Sequence, residues 1–216
     1  MLKIYGAALS PPSCKVRFVA NALGLAYEYK EVNLAKGENR AEAHRKLHPA
    51  GKVPVIDDDG FVLFESNAIV RYLAEKAGSA LYPSEPRQRA LANQWTDFAS
   101  QHVATALSQV LFNRVFAPFL KMEVNERSIT DGLELLKRFL PVVESRLKGT
   151  RYLAGSDLTL ADLALLSALD PVEVAQVDLA PYPSIEKWRK DLQSRDFYTK
   201  CHKSYGDALA AAAAAM

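Results

Sequence analysis

Three short segments carry residues whose types and spacing could hold or activate a small ligand. The first is Ser10-Pro11-Pro12-Ser13. Proline at the first helical positions costs no hydrogen bond, because those N–H groups have no intrahelical partner. Ser10 or Ser13 can then cap the helix that follows. The same geometry suits an anion: a helix N-terminus presents free N–H groups and a positive dipole, and a hydroxyl beside it adds a donor. A thiolate or an oxyanion is the ligand such a site favours. Cys14 lies four residues past Ser10, and a thiol in the first helical turn is expected to be acidified.

The second segment is Val53-Pro54. Proline in a strand removes a ladder donor and is confined to ends, edges and bulges. A cis bond here would leave backbone groups free for a peptide-like ligand; a trans proline opening a strand is the alternative. The third is Glu65-Ser66, where Ser66 is the expected N-cap of a helix whose end could take a carboxylate. Other constellations are weaker. His44 and His48 are at i, i+4, but zinc needs further ligands and Pro49 disturbs the helix end. Asp57-Asp58-Asp59 lacks the alternate spacing of a calcium loop and reads as a turn. No metal site is expected.

The elements that must position these segments are legible from periodicity. Leu2, Ile4 and Tyr5 read as a strand, and Val16, Val19, Ala20 and Leu23 as one helix face stopped at Gly24. Tyr27, Tyr29, Val32 and Leu34 fit a second strand, and a short helical stretch lies near residues 41–47. Val53–Ile56 and Phe61–Phe64 flank an Asp-Gly turn, predicting a hairpin. A helix over about 66–77 follows. The order is β-α-β-α-β-β-α, with a parallel first βαβ unit and an antiparallel hairpin at its edge.

Residues 81–86, Leu-Tyr-Pro-Ser-Glu-Pro, read as a linker. Beyond it strand signals nearly vanish. Leu91, Trp95 and Phe98 start a long helix. Ile129, Leu133, Leu136, Leu140, Val143 and Leu147 form a second stripe. Thr159 and Asp162 make a capping box that opens an almost wholly apolar helix, 160–169, fit for a bundle centre. Further helices surround Trp188 and Tyr198. The expected division is an α/β domain over 1–80, the linker, and an all-α domain over 87–216. Phe112, Phe116 and Phe119 on the latter either line a pocket for an apolar co-substrate or pack in the core. The Ala-rich tail after Leu209 either extends a helix or frays.

Composition narrows the classes further. The chain has 216 residues, 27 Lys+Arg against 25 Asp+Glu, and a formal charge of +2. That balance offers no field for nucleic acid or an anionic membrane. No apolar run approaches the roughly 20 residues that span a bilayer. Two separated cysteines exclude a disulfide framework and fit a reducing compartment.

Four segments taken together resemble the cytosolic glutathione transferases. They are Tyr5-Gly6 through Ser10 with Lys15-Val16-Arg17; Pro49-Ala50-Gly51-Lys52-Val53-Pro54; Phe64-Glu65-Ser66-Asn67-Ala68-Ile69; and Gly155-Ser156-Asp157-Leu158-Thr159-Leu160-Ala161-Asp162. The likeness covers essentially the whole chain. The spacing from Gly6 to Ser10 is most similar to the serine-type phi and theta classes and their bacterial relatives. The resemblance implies a thioredoxin-like N-terminal domain and a helical C-terminal one. Glutathione is the implied co-substrate, without a tightly bound cofactor, and a hydrophobic electrophile is the second partner. A homodimer in the cytoplasm is implied, with a role in detoxification.

Residue roles follow from the same resemblance. Ser10 would donate to the glutathione sulfur, with Ser13 as substitute; Cys14 would serve only in a cysteine-type mechanism. Val53, with Pro54 cis, would meet the cysteinyl amide. Glu65 and Ser66 would hold the γ-glutamyl end. Arg40 and Lys52 are candidates for the glycine carboxylate, and Asp97 for the γ-glutamyl amine of a neighbouring subunit. Departures are Ala50, where phi members often carry Phe, Lys52 in place of a frequent Gln, and His48 in place of a common Asn. A peroxidase, dehalogenase, isomerase or ether-cleaving enzyme on the same scaffold, or a non-catalytic binding protein, are the rival readings. The Ser-Ser-Cys pattern of the zeta isomerases is not met.

Overall fold

The computed structural model describes residues 1–214. A four-stranded sheet of order β2-β1-β3-β4 is built from β1 (Leu2–Gly6), β2 (Tyr27–Glu31), β3 (Val55–Asp58) and β4 (Phe61–Phe64). β1 and β2 are parallel, with Leu2 opposite Tyr27; β3 runs antiparallel to both β1 and β4. The turn between β3 and β4 is Asp59-Gly60, both with positive φ, and the Asp57 carboxylate accepts the Gly60 N–H at 2.7 Å. This is the hairpin the Asp-Gly pair predicts. The β3 strand starts at Val55, so Val53 and Pro54 lie just before it rather than within it.

Helix α1 (Pro11–Ala22) crosses from β1 to β2, α2 (Glu42–Leu47) follows a single 3₁₀ turn at Glu38–Arg40, and α3 (Ser66–Lys76) returns over the sheet. Ile4, Val16, Val19, Ile56, Ile69 and Val70 are fully buried between sheet and helices. Their alternation along strands and spacing along helices is the pattern that forces these elements together.

The rest is helical. One rod runs from Pro86 to Phe119 as α4 (Pro86–Phe98), α5 (Ala104–Leu111) and α6 (Ala117–Phe119). Wider π-type turns interrupt it at Ala99–Val103 and Phe112–Phe116. Then come α7 (Glu126–Gly149), α8 (Leu160–Leu169), α9 (Pro183–Gln193), α10 (Asp196–Thr199) and α11 (Tyr205–Ala214). Every residue of α8 is buried, as its apolar surface on all sides requires. At Gly132 a Cβ would stand 2.7 Å from the Ala106 carbonyl, so α5 and α7 approach closely only because no side chain intervenes. α1 packs against α3, α8 and α10, joining the sheet layer to the bundle. No helix among the described residues is long and apolar enough to cross a membrane.

Candidate active site

Ser10 is the N-cap of α1. Its Oγ accepts the Ser13 N–H at 3.4 Å, its own N–H goes to Ala7 O, and the Cys14 N–H goes to Ser10 O. Pro11 and Pro12 have no N–H to offer. The expected free N–H groups at this helix start are therefore absent from the first turn. What remains is the helix dipole and the Ser10 hydroxyl hydrogen, which is paired with no acceptor among the described residues while the oxygen accepts from Ser13.

Ser13 and Cys14 face inward. Ser13 is fully buried, its Oγ accepting the Ala7 N–H at 3.3 Å and packing beside Gly6. Nothing in solution reaches it, which removes the substitute for Ser10. Cys14 is fully buried with Sγ directed at Ala8 O at 3.3 Å. Burial above all, then the nearby Asp170, pushes its thiol well up. The expectation of an acidified thiol is thus reversed: Cys14 sits on the core face of α1, where desolvation outweighs the dipole.

Ser10 opens on a cavity of about 860 Å³, within the usual size for a small-molecule site. Phe112, Phe116 and Phe119 line its far side; Phe112 and Phe119 are 40% and 44% exposed, so core packing does not account for them. The π-type turn at Phe112–Phe116 lies at this wall. The tail supplies another wall. Residues 205–214 are helix α11, and Ala208, Leu209 and Ala212 line the cavity. The Tyr205 hydroxyl donates to Leu9 O at 2.6 Å, tying the tail to the loop that carries Ser10. Sequence reasoning missed this role. Alanine has no chemistry to signal, but Tyr205 and Leu209, four apart, were the available cue.

A second cavity of about 470 Å³ lies on the other side of the first turn of α1, bordered by Pro11, Pro12, Lys15, Glu65, Ser66 and Ser100. Here Glu65, not Ser66, is the N-cap of α3, and Ser66 is the first helical residue. Glu65 has φ 69°, a left-handed conformation that costs a non-glycine residue about 1–3 kcal/mol. Behind it runs a polar chain. Lys15 Nζ donates to Asn67 Oδ1 and to Ser100 Oγ; Asn67 Nδ2 donates to Asp97 Oδ1 at 3.2 Å, which also accepts from Arg71 at 2.7 Å. Within the chain, then, Asp97 is engaged by Asn67 and Arg71.

Lys15 is a site residue that sequence reasoning did not single out. It is 4% exposed, and burial, reinforced by Arg71, lowers its ammonium to about 7. Because the unfolded chain holds that proton up to about 10.5, the unfolded state binds more protons between these values. Stability conferred at this position therefore rises with pH across the window and is lowest below it. The variant Lys15→Met is expected to gain on the parent at low pH. The stability difference between them should shift by about 3 kcal/mol from pH 6 to pH 9.5. Urea unfolding of both proteins at the two pH values checks it, and a constant difference refutes it.

The loop before β3 is held open. Val53-Pro54 is cis, and the Val53 backbone makes no hydrogen bond among the described residues. Gly51 has φ 62°, and a Cβ there would stand 2.9 Å from Asn39 O, so no other residue fits. Asn39 Nδ2 donates to Gly51 O at 2.7 Å, and His44 Nε2 contacts Lys52 O at 2.8 Å. His48 stacks on Phe64 with centroids 4.6 Å apart, and burial lowers its ring. The two histidines thus brace the loop separately. Arg40 and Lys52 are exposed beside it.

Comparison with known proteins places these features in context. Residues 1–75 match the family described as glutathione S-transferase, N-terminal domain, and residues 103–196 the corresponding C-terminal domain. Glutathione S-transferase D7 of Drosophila melanogaster is 32% identical over 193 residues, covering 88% of this chain and 83% of that protein. Glutathione transferase F7 from Populus trichocarpa superposes with a TM-score of 0.87 at 27% identity, over 97% of this chain and 99% of that one. Glutathione S-transferase-I bound with lactoylglutathione superposes with a TM-score of 0.83 at 31% identity, over 93% and 97%.

Proposed function

The chain belongs to the cytosolic glutathione transferase superfamily and is a glutathione S-transferase, and we propose that it conjugates the glutathione thiolate to apolar electrophiles through Ser10. The observation that carries this reading is the placement of the Ser10 hydroxyl, with its hydrogen free, on the wall of the 860 Å³ aromatic cavity. Sulfur bound there meets an apolar partner on one side and the dipole of α1 on the other.

The energetics are sufficient. A thiol of pKa about 8.5 is only a few per cent ionised near neutrality, and lowering it by about two units takes roughly 2.7 kcal/mol. A hydrogen bond to a charged group contributes roughly 1.5–3 kcal/mol. The helix N-terminus adds roughly 0.3–2 kcal/mol. Serine donates, so no general base is required.

The tripeptide extends from the sulfur along the loop. The unbonded Val53 backbone receives the cysteinyl amide, and the Glu65-Ser66 end of α3 receives the γ-glutamyl carboxylate beside Lys15. Arg40 and Lys52 reach the glycine carboxylate. Asp97 serves the γ-glutamyl amine of a second subunit in a homodimer. The cytoplasm supplies the reduced thiol, and removal of reactive apolar compounds is the role that fits.

Retention on immobilised glutathione, with release by the free tripeptide, tests binding. Conjugation measured over aryl halides, isothiocyanates, epoxides and peroxides tests the reaction. Absence of both rejects the reading; turnover of peroxides alone favours the peroxidase on the same scaffold.

A further inference from the structure

Three side chains that the thiolate chemistry does not use meet where the sheet layer joins the bundle. Cys14 comes from α1, Asp170 caps the C-terminus of α8, and His202 lies between α10 and α11. Sγ of Cys14, a carboxylate oxygen of Asp170 and a ring nitrogen of His202 all lie within 4.8 Å of one another. All three groups are sealed: Cys14 and the Asp170 side chain are 0% exposed, and the His202 side chain 6%. Nε2 of His202 and Oδ2 of Asp170 stand 3.0 Å apart, yet neither makes a hydrogen bond, with the other or with any group among the described residues. Buried polar atoms are rarely left so. Two lone-pair atoms in contact, with no hydrogen bond between them, are placed as two ligands of one cation are.

We propose that Cys14, Asp170 and His202 form a zinc-binding site, independent of the Ser10 reading. One sulfur, one nitrogen and one oxygen suit zinc, which takes all three. Magnesium and calcium want a shell of oxygens, which a single carboxylate does not supply. A tetrahedral zinc with bonds of about 2.0–2.3 Å holds its ligand atoms about 3.3–3.8 Å apart. The Nε2–Oδ2 pair is already near that spacing, and the sulfur has at most about 1 Å to close. On binding, Cys14 passes its thiol proton to solvent and gives up only a weak bond to Ala8 O, while His202 binds as a neutral imidazole. Thiolate and carboxylate then cancel the two positive charges, so the buried site carries no net charge. Water takes the fourth position.

The surroundings support this set. The Tyr198 hydroxyl donates to Oδ1 of Asp170 at 2.7 Å, the kind of outer bond that orients a metal-ligating carboxylate. Phe18 and Tyr198 meet the His202 ring edge-on, with centroids 5.9 and 4.9 Å away, and limit its rotation. Burial, then Asp170, pushes the Cys14 thiol well up. A divalent cation on the same atoms reverses that, since a coordinated thiol is deprotonated outright. Cys201 stays outside the set: its Sγ meets Asn21 Nδ2 at 3.3 Å and Phe197 O at 3.8 Å. Bound zinc fastens α1 to the end of α8 and to the segment leading into α11. Spacing could not announce such a site, because its ligands lie 156 and 32 residues apart.

The test strips the full chain of metal with a chelator and titrates it with cobalt(II), then zinc, in buffer without glutathione. The parent is expected to take one cobalt per chain. Its spectrum should show the visible bands of a tetrahedral ion and a near-ultraviolet sulfur-to-cobalt charge-transfer band, and one zinc should abolish both. The charge-transfer band should vanish in Cys14→Ala and persist in Cys201→Ala. Competition against a chromophoric chelator should find zinc binding weakened in His202→Gln by at least the roughly 10–100-fold that loss of an outer-shell partner costs. Zinc should raise the Tm of the parent and leave that of Cys14→Ala unchanged. The parent spectrum is a readout that needs no variant to fold. Failure to bind cobalt or zinc, an octahedral spectrum without the charge-transfer band, or a band that survives Cys14→Ala overturns the proposal. None of these outcomes touches the Ser10 reading, which retention on immobilised glutathione tests separately.

Discussion

Replacing Asp162 by Ala is expected to destabilise the protein by about 3–5 kcal/mol, a large part of the 5–15 kcal/mol that holds a typical domain. Asp162 is 0% exposed, and its two oxygens accept four hydrogen bonds. They come from the N–H of Leu153 at 2.9 Å, the N–H and hydroxyl of Thr159 at 3.0 and 3.2 Å, and the indole of Trp188 at 3.3 Å. One carboxylate thus fastens the start of α8 to the loop before it and to α9. Alanine leaves these donors buried and unpaired, each costing about 1–3 kcal/mol before relaxation. Chemical denaturation at neutral pH measures the loss.

The pH dependence of that loss has a definite sign. Burial raises the Asp162 carboxyl from 3.8 to about 6, against the lowering effect of its four donors. Between these values the folded protein holds more protons than the unfolded one. The stabilisation is therefore fullest below the unfolded value and declines as pH rises through the folded one. The gap between parent and Asp162→Ala should widen by up to about 3 kcal/mol as pH falls from 7 to 4. A gap that narrows on acidification contradicts this account.

The capping box was legible because both of its members are close in sequence and their chemistry is local. The same holds for the hairpin, whose Asp-Gly turn fixes the register of β3 against β4, and for α8, whose apolar sequence admits only a central place. Legibility fails where the outcome is decided by distant packing. Whether Ser10 or Ser13 faces the cavity depends on how α1 rolls against β1, and the close approach of Ser13 to Gly6 settles that in three dimensions only. Cys14 illustrates the same failure: its position in the helix suggests an acidic thiol, but its face is buried against Asp170 and the bundle. Lys15 gains its lowered ammonium from burial and from Arg71, 56 residues away. The π-type turns, too, lie beside the two cavities, and no local residue pattern announces them.

Ser10→Ala is expected to leave glutathione binding largely intact while raising the bound thiol by about one to two pKa units, and lowering kcat/KM near neutrality by about 10–150-fold. The figure is the range for one hydrogen bond to a charged group, about 1.5–3 kcal/mol, converted to rate. Few groups can replace that hydroxyl. The first turn of α1 holds two prolines, and its one backbone donor, the Ser13 N–H, is bonded to the Ser10 Oγ in the parent and set free only in the variant. Ser13 is sealed behind the Ala7 N–H, and Cys14 is a buried thiol. The helix dipole alone contributes at most about 2 kcal/mol, short of what full ionisation requires. Thiolate absorbance of the bound tripeptide, titrated in parent, Ser10→Ala and Ser10→Thr, separates the hydroxyl from the cap. Alanine also loses an N-cap worth about 1 kcal/mol of stability, whereas threonine restores both hydroxyl and cap. Recovery of the low thiol pKa with Ser10→Thr would tie the shift to the donated hydrogen bond. A titration curve unchanged in Ser10→Ala would assign the sulfur to some other donor, and with it the whole geometry of attack into the aromatic cavity.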